Sequence, residues 1–208
     1  MLFRSAFRDG RDVYKIMASA IYDKPEEEIT KEERFMGKTV VLGCGYGLGA
    51  KKFRASLALQ GVHLTEDESE DIIRSYREKY PKIVKLWGQA RTMIENLVKE
   101  ESTPLGRKGV LTVDWEQEGI LLPSGLYLRY PQIRKQNIEN DKVEYQYKNR
   151  YGWNRIYGGK VVENVCQAIA RCIIGEQMIL IAKRYKVVLT VHDAIACIVK
   201  EEEADEAQ

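Results

Sequence analysis

The sequence is poor in the residues that build metal centres and covalent frameworks, with four cysteines and two histidines among 208 residues. Cys44, Cys166, Cys172 and Cys197 lack paired metal-ligand spacing, and His63 and His192 complete no zinc pattern. They read as reduced, buried thiols in a cytosol. Unbroken apolar runs are scarce too. None approaches the about 20 residues that span a bilayer, and the first residues are too basic and interrupted for a secretory signal. A soluble, cytoplasmic protein with no membrane partner is expected. Excess charge of either sign is small, since Lys+Arg 33 against Asp+Glu 31 leaves +2. Composition therefore neither demands nor excludes a polyanion, and local charge must decide. Internal repeats and low-complexity linkers are absent, while 44% hydrophobic residues suffice for a folded core.

The apolar pattern of the first half is helical. Val13, Ile16, Met17, Ala20 and Ile21 share one face, and Pro25 then interrupts. Thr30 and Glu33 form a capping-box pattern, so a second helix is expected from Thr30 to the glycine-rich stretch Gly43 to Gly49. Further helices are expected over 50–60, over 65–80 behind a Thr cap and an acidic first turn, and from Pro81 to about Glu100. After residue 103 the texture changes to Val, Leu, Tyr and Trp with turn signals such as Pro123-Ser124-Gly125, which predict short strands and hairpins. Helical periodicity returns over 161–185. Two strands then flank His192-Asp193, and an acidic, helical end follows. The expected fold class is α+β: a helical lobe over 1–103, and a mixed lobe over 104–208 closing on a β-hairpin.

Three constellations carry chemistry. On the second helix, Arg34, Lys38 and Leu42 recur every four residues and line one stripe, which presents two cations to one side. Such a surface suits a triphosphate, because Lys supplies a point charge and Arg a planar fork, while the glycine turn and Tyr46 leave room for a base or sugar. A solvated basic face is the plainer reading of the same spacing. At the C-terminal hairpin, Asp193 sits at the tip, where a rigid carboxylate can ligate Mg²⁺; a simple polar turn is the alternative. Between these, Lys142, Lys148, Arg150, Arg155 and Lys160 are interleaved with Tyr145, Tyr147, Tyr151, Trp153 and Tyr157. That composition suits a phosphate backbone, and equally the ordinary alternation of a packed strand.

Arg34, three residues, Lys38, three residues, Leu42-Gly43, two residues, Tyr46-Gly47 resembles motif B of family A DNA polymerases, and Val191-His192-Asp193 resembles motif C in the same order. Tyr157 to Arg171 is similar to a palm helix of phage members, and Asp9 to Tyr14 to the segment preceding the fingers. The resemblance implies the right-hand polymerase fold, with residues 1–103 as fingers and 104–208 as C-terminal palm. It implies template-directed DNA synthesis from deoxynucleoside triphosphates (dNTPs) on primer-template DNA, with a two-ion Mg²⁺ site. Arg34 and Lys38 would hold the incoming phosphates, with Lys38 also a proton donor to pyrophosphate. Leu42 stands where an aromatic ring usually meets the sugar and base, and Tyr46 would lie beside the templating base. Gln167 would probe the primer-template minor groove, with Asn164 and Arg171 as further DNA contacts. His192 would touch the primer end, and Asp193 would ligate the metal. The sequence departs from the pattern at Leu42, at Cys172 in place of an acidic residue, and at Ala194 in place of Glu.

The family's other metal-binding Asp lies in a motif A pattern, Asp-x-Ser-x-x-Glu-x-Arg, which this sequence does not contain. The chain alone is therefore expected to be inactive or nearly so, as a fragment or as half of a split enzyme whose motif A comes from a separate polypeptide. A nucleic-acid-binding module without catalysis is the non-enzymatic alternative. A third reading takes Thr39 to Leu42 as a strand and Gly45 to Ala50 as a Gly-x-Gly-x-x-Ala dinucleotide fingerprint, although no acidic strand end follows about twenty residues later.

Overall fold

The computed structural model describes residues 2–107, 110–138 and 142–205. Seven helices and nine strands follow one another among them: α1 (Leu2–Arg8), α2 (Val13–Tyr22), α3 (Lys31–Cys44), α4 (Ala50–Ala58), α5 (Glu66–Lys79), α6 (Pro81–Val98), β1 (Thr103–Pro104), β2 (Thr112–Asp114), β3 (Gly119–Leu121), β4 (Tyr127–Arg129), β5 (Arg134–Ile138), β6 (Lys142–Asn149), β7 (Gly152–Ile156), α7 (Gly158–Ala182), β8 (Lys186–Val191) and β9 (Ala194–Ile198). Six helices thus precede the first strand, as the change of texture at residue 103 implies, and α7 stands between β7 and β8.

Local chemistry sets the helix starts. Asp12 caps α2 by accepting the N–H groups of Tyr14 and Lys15 at 2.9 and 3.3 Å. Thr30 and Thr65 close reciprocal capping boxes with Glu33 and Glu68. Each such cap is worth about 1 kcal/mol, and Pro81 opens α6 where its missing N–H is harmless. Three boundaries differ from the sequence reading. α7 starts at Gly158 rather than past the glycine pair and ends at Ala182, the described residues of the acidic end hold a 3-10 turn, Glu201–Glu203, in place of a helix, and α1 carries no periodic signal that announces it.

Two cores result. Met17, Met36, Val40, Val41, Cys44, Phe53, Leu57, Ile73, Tyr76 and Tyr80 join α2 to α5, while Ala90, Met93, Ile94 and Leu97 of α6 pack with Val113, Ile120, Tyr130, Ile156, Val161 and Val165. α6 serves both, because Ile83 and Trp87 at its start lie against the first core. Burying a large apolar side chain such as Phe53 or Leu57, both fully covered, contributes about 1.5–3 kcal/mol. Three antiparallel sheets follow, β1-β2-β3-β4, β5-β6-β7 and β8-β9. The β3–β4 turn holds Gly125 at φ +81°, where the Pro-Ser-Gly signal places it.

Glycines set the closest approaches. A Cβ on Gly37 would lie 2.2 Å from the Tyr14 carbonyl oxygen, so α3 rests its backbone directly on α2. At the start of α7, a Cβ on Gly158 would lie 2.0 Å from the Trp87 carbonyl oxygen and one on Gly159 would lie 2.2 Å from that of Tyr46. The glycine pair therefore locks α7 onto both α6 and the turn after α3.

Among the described residues, none after Val165 is buried. α7 has no unbroken apolar run near the about 20 residues that span a bilayer, yet by length and composition it could cross a membrane, with mean hydropathy 1.5 over its most apolar window and 6% of that window buried. Length and composition alone are weak grounds for a membrane span, and Lys160, Glu163, Asn164, Gln167 and Arg171 all lie on this helix.

Candidate nucleotide and primer-template site

α3 buries Met36, Gly37, Val40, Val41 and Cys44 and turns the other side outward. Lys38 is exposed and Leu42 is 51% exposed on that outer stripe, while Arg34 is half-buried at its start. Arg34 donates its Nε–H to Asp12 Oδ2 at 2.6 Å and lies 5.2 Å from the Tyr14 ring centroid. Its fork is fixed from behind, and the terminal nitrogens remain the groups a phosphate could engage. Burial pushes the Asp12 carboxyl up, but hydrogen bonds from Arg34 and from the Tyr14 and Lys15 backbone, with the Arg34 charge, outweigh it and hold the group below its ordinary value.

The turn that ends α3 is pinned from below. Trp87 Nε1–H donates to the Gly45 carbonyl at 3.1 Å, and Gly47 takes φ +82°. Tyr46 is half-buried against the start of α7, where burial and then the nearness of Cys166 and Glu163 push its hydroxyl above the ordinary value. The sequence places Tyr46 and Gln167 far apart, and the glycine contacts bring their two elements together. Thr39 to Leu42 lie inside α3, so the glycine stretch follows a helix and the dinucleotide reading loses its strand.

On α7, Asn164, Gln167 and Arg171 recur at helical spacing along one side. Gln167 is exposed and donates to Glu163 at 3.3 Å, and Glu163 also takes Lys160 at 2.9 Å. Asn164 turns inward to the Tyr130 hydroxyl at 3.3 Å. Tyr130 is deeply buried, and its hydroxyl is pushed up to about 12 by burial, with the Asn164 bond opposing and Tyr147 adding.

His192 and Asp193 form the two-residue tip of the β8–β9 hairpin, whose register closes at Val191 opposite Ala194. His192 takes φ +54°, and both side chains are exposed. Among the described residues no three His, Cys, Asp or Glu side chains cluster to hold a metal. Asp193 alone does not make a Mg²⁺ site.

Asp12, Tyr14, Gly37 and Glu163 are absent from the sequence-derived site. Gly37 gives the one available signal, a glycine inside a strong helical pattern, which marks close packing.

The family model described as DNA polymerase family A matches residues 2–208. The chain belongs to DNA polymerase family A. It is 34% identical over 199 residues to the DNA polymerase of Bacillus phage SP02, covering 90% of this chain and 30% of that protein. It is 33% identical over 113 residues to DNA polymerase I of Aquifex aeolicus, covering 51% of this chain and 19% of that protein. Among solved structures, the POL domain of Pol1 from M. smegmatis, in complex with DNA primer-template and dNTP, superimposes with a TM-score of 0.55 at 18% identity, covering 98% of this chain and 30% of that one. The fold is thus that of a mixed helix-and-sheet polymerase domain, and the chain spans less than a third of these relatives.

Proposed function

We propose that this chain is the fingers (1–103) and C-terminal palm (104–208) portion of a template-directed DNA polymerase. The reaction is attack of a primer 3′-hydroxyl on the α-phosphate of a dNTP, forming a phosphodiester and releasing pyrophosphate. Arg34 and Lys38 bind the triphosphate, and Lys38 gives a proton to the departing pyrophosphate. Leu42 faces the sugar and base. Tyr46 stands on the template side, Gln167 and Arg171 face the duplex, Asn164 reaches it only by leaving the Tyr130 hydroxyl, and His192 faces the primer end. Asp193 contributes one carboxylate to a Mg²⁺ site completed by a segment carrying motif A, in this gene product or in a separate polypeptide. When bound, the ions align nucleophile and leaving group and neutralise developing charge.

The observation that carries this reading is the α3 stripe: two cations and Leu42 on the face opposite a buried core, ending in a turn seated on the helix that bears Gln167. With no group of three His, Cys, Asp or Glu side chains among the described residues, the second reading is a nucleic-acid-binding module without catalysis. A fluorescent dNTP titrated into the chain tests the first. Arg34→Ala and Lys38→Ala should each weaken binding by about 1.5–3 kcal/mol, the worth of a charge-assisted hydrogen bond. Wild-type affinity in both would remove the nucleotide site.

A further inference from the structure

The three-stranded ribbon β5-β6-β7 has two unlike faces. Paired residues of neighbouring strands share a face, and alternate residues along each strand return to it. Tyr145, Tyr147 and Ile156 lie on the inner face, against the second core. The pairings Arg134 with Gln146, Gln146 with Arg155 and Lys148 with Trp153 put all five residues on the outer face, with Glu144 opposite Gln136. Side-chain contacts agree: Arg134 donates to Gln146 at 3.2 Å, and Arg155 pairs with Glu144 at 2.9 Å.

This outer face is cationic. Arg134, Lys148 and Arg155 are exposed, whereas Glu144, the one acid among the described residues of this face, keeps 17% of its side chain exposed beside Arg155 at 60%. Trp153 organises the cations, with the Arg134 guanidinium 3.5 Å from its ring centroid and Lys148 Nζ 6.0 Å away. At the β6–β7 turn, Arg150 sits 4.6 Å over Tyr151, which is 80% exposed. No described residue covers β5, exposed along its whole length.

We infer that the outer face of β5–β7 is a second DNA-contacting surface, which grips the phosphate backbone of duplex primer-template apart from the α3 and hairpin residues. Charge complementarity selects a polyanion. Phosphates are favoured over stacked bases because the Arg134 guanidinium already occupies a face of the Trp153 ring. Binding is then independent of sequence and steeply dependent on salt. The inference rests on the polymerase reading only for the choice of duplex DNA among polyanions.

The test is fluorescence anisotropy of the full chain with a labelled duplex and, separately, a labelled oligo-dT strand, across a salt series. Arg134→Gln/Lys148→Gln is compared with wild type, with unfolding temperature and sedimentation measured on both. Loss of two phosphate contacts should flatten the slope of log affinity against log salt for the duplex by about 2, at about 0.9 per contact. Trp153→Phe, which keeps an aromatic platform, should retain most of the affinity. An unchanged duplex slope in a folded double variant overturns the inference. So does a change confined to oligo-dT, or a self-association that disappears in the variant. Dye-labelled dNTP binding separates the two claims. If the ribbon variant loses duplex but Arg34→Ala keeps full dNTP affinity, the ribbon stands and the nucleotide site falls; the converse pattern leaves the site and removes the ribbon.

Discussion

Arg34 and Asp12, on different helices and 22 residues apart in sequence, meet at 2.6 Å through Nε and Oδ2. The same carboxylate caps α2 with its other oxygen. One acidic side chain thus both starts a helix and orients the cation that heads the α3 stripe, and the contact exists because Gly37 lets α3 lie on the Tyr14 backbone.

Gly37→Ala should separate α2 from α3, since the new Cβ would fall 2.2 Å from a carbonyl oxygen that cannot swing away. A loss of about 1–3 kcal/mol, the usual cost of overpacking, is expected in urea unfolding. Gly175 of α7 has nothing within 4 Å of a Cβ, so Gly175→Ala should instead stabilise by about 0.4–1 kcal/mol. Equal effects of the two changes would contradict the packing described for α3.

Asp12 predicts an acid dependence. Its folded carboxyl lies below the ordinary value of 3.8, so its contribution is present above that value and is lost as pH falls through the folded value. Asp12→Asn retains a capping side chain but removes the titration. Wild-type stability should therefore fall more steeply than that of Asp12→Asn below about pH 4, as read from urea midpoints over a pH series.

Cys44 predicts the opposite limb. Burial pushes its thiol up to about 12 from an ordinary 9.0, with Arg77 opposing. The folded state favours the protonated form, so this contribution is complete below pH 9.0 and is lost as pH rises toward about 12. In the native chain at mildly alkaline pH, Cys44 should react with iodoacetamide last of the four cysteines, at the rate at which α3 and α5 open. Modification as fast as that of exposed Cys166, mapped by mass spectrometry, would place Cys44 outside the core.

The far end of the mixed lobe is apolar and uncovered, with Ile179 at 64%, Leu180 at 62%, Val188 at 50%, Leu189 at 57% and Val191 at 52% exposed. A helix apolar on this scale normally packs against something. Relatives carry more than twice as much chain outside the span matched here. Ile179→Lys with Leu189→Lys should therefore raise the solubility of the chain alone, yet weaken association with an upstream polymerase segment. Association measured by co-purification that is indifferent to both changes would show that another surface docks the segment.

Much of the helical lobe is legible in the sequence because its signals are local. Thr30 with Glu33, Thr65 with Glu68, and Pro81 mark their helices within a turn. The α3 stripe is equally legible, since Arg34, Lys38 and Leu42 follow from helical geometry alone. The partners of those residues are not. Asp12 and Tyr14 reach Arg34, and Gly159 reaches Tyr46, through packing between distant segments, and no spacing rule encodes a contact across 22 or more residues. The β5–β7 face is intermediate. Alternation separates Tyr145 and Tyr147 from Lys148, but only the strand register puts Arg134 and Trp153 on one face, where the guanidinium lies 3.5 Å from the ring centroid.

The most direct test is primer extension with Mg²⁺ and four dNTPs, comparing the chain alone with the chain joined to an upstream family A segment that contains motif A, each with and without Asp193→Ala. Extension only in the joined protein with Asp193 intact is the predicted result. A joined protein that folds and binds primer-template yet extends nothing, or one that extends equally well with Asp193→Ala, would contradict the account.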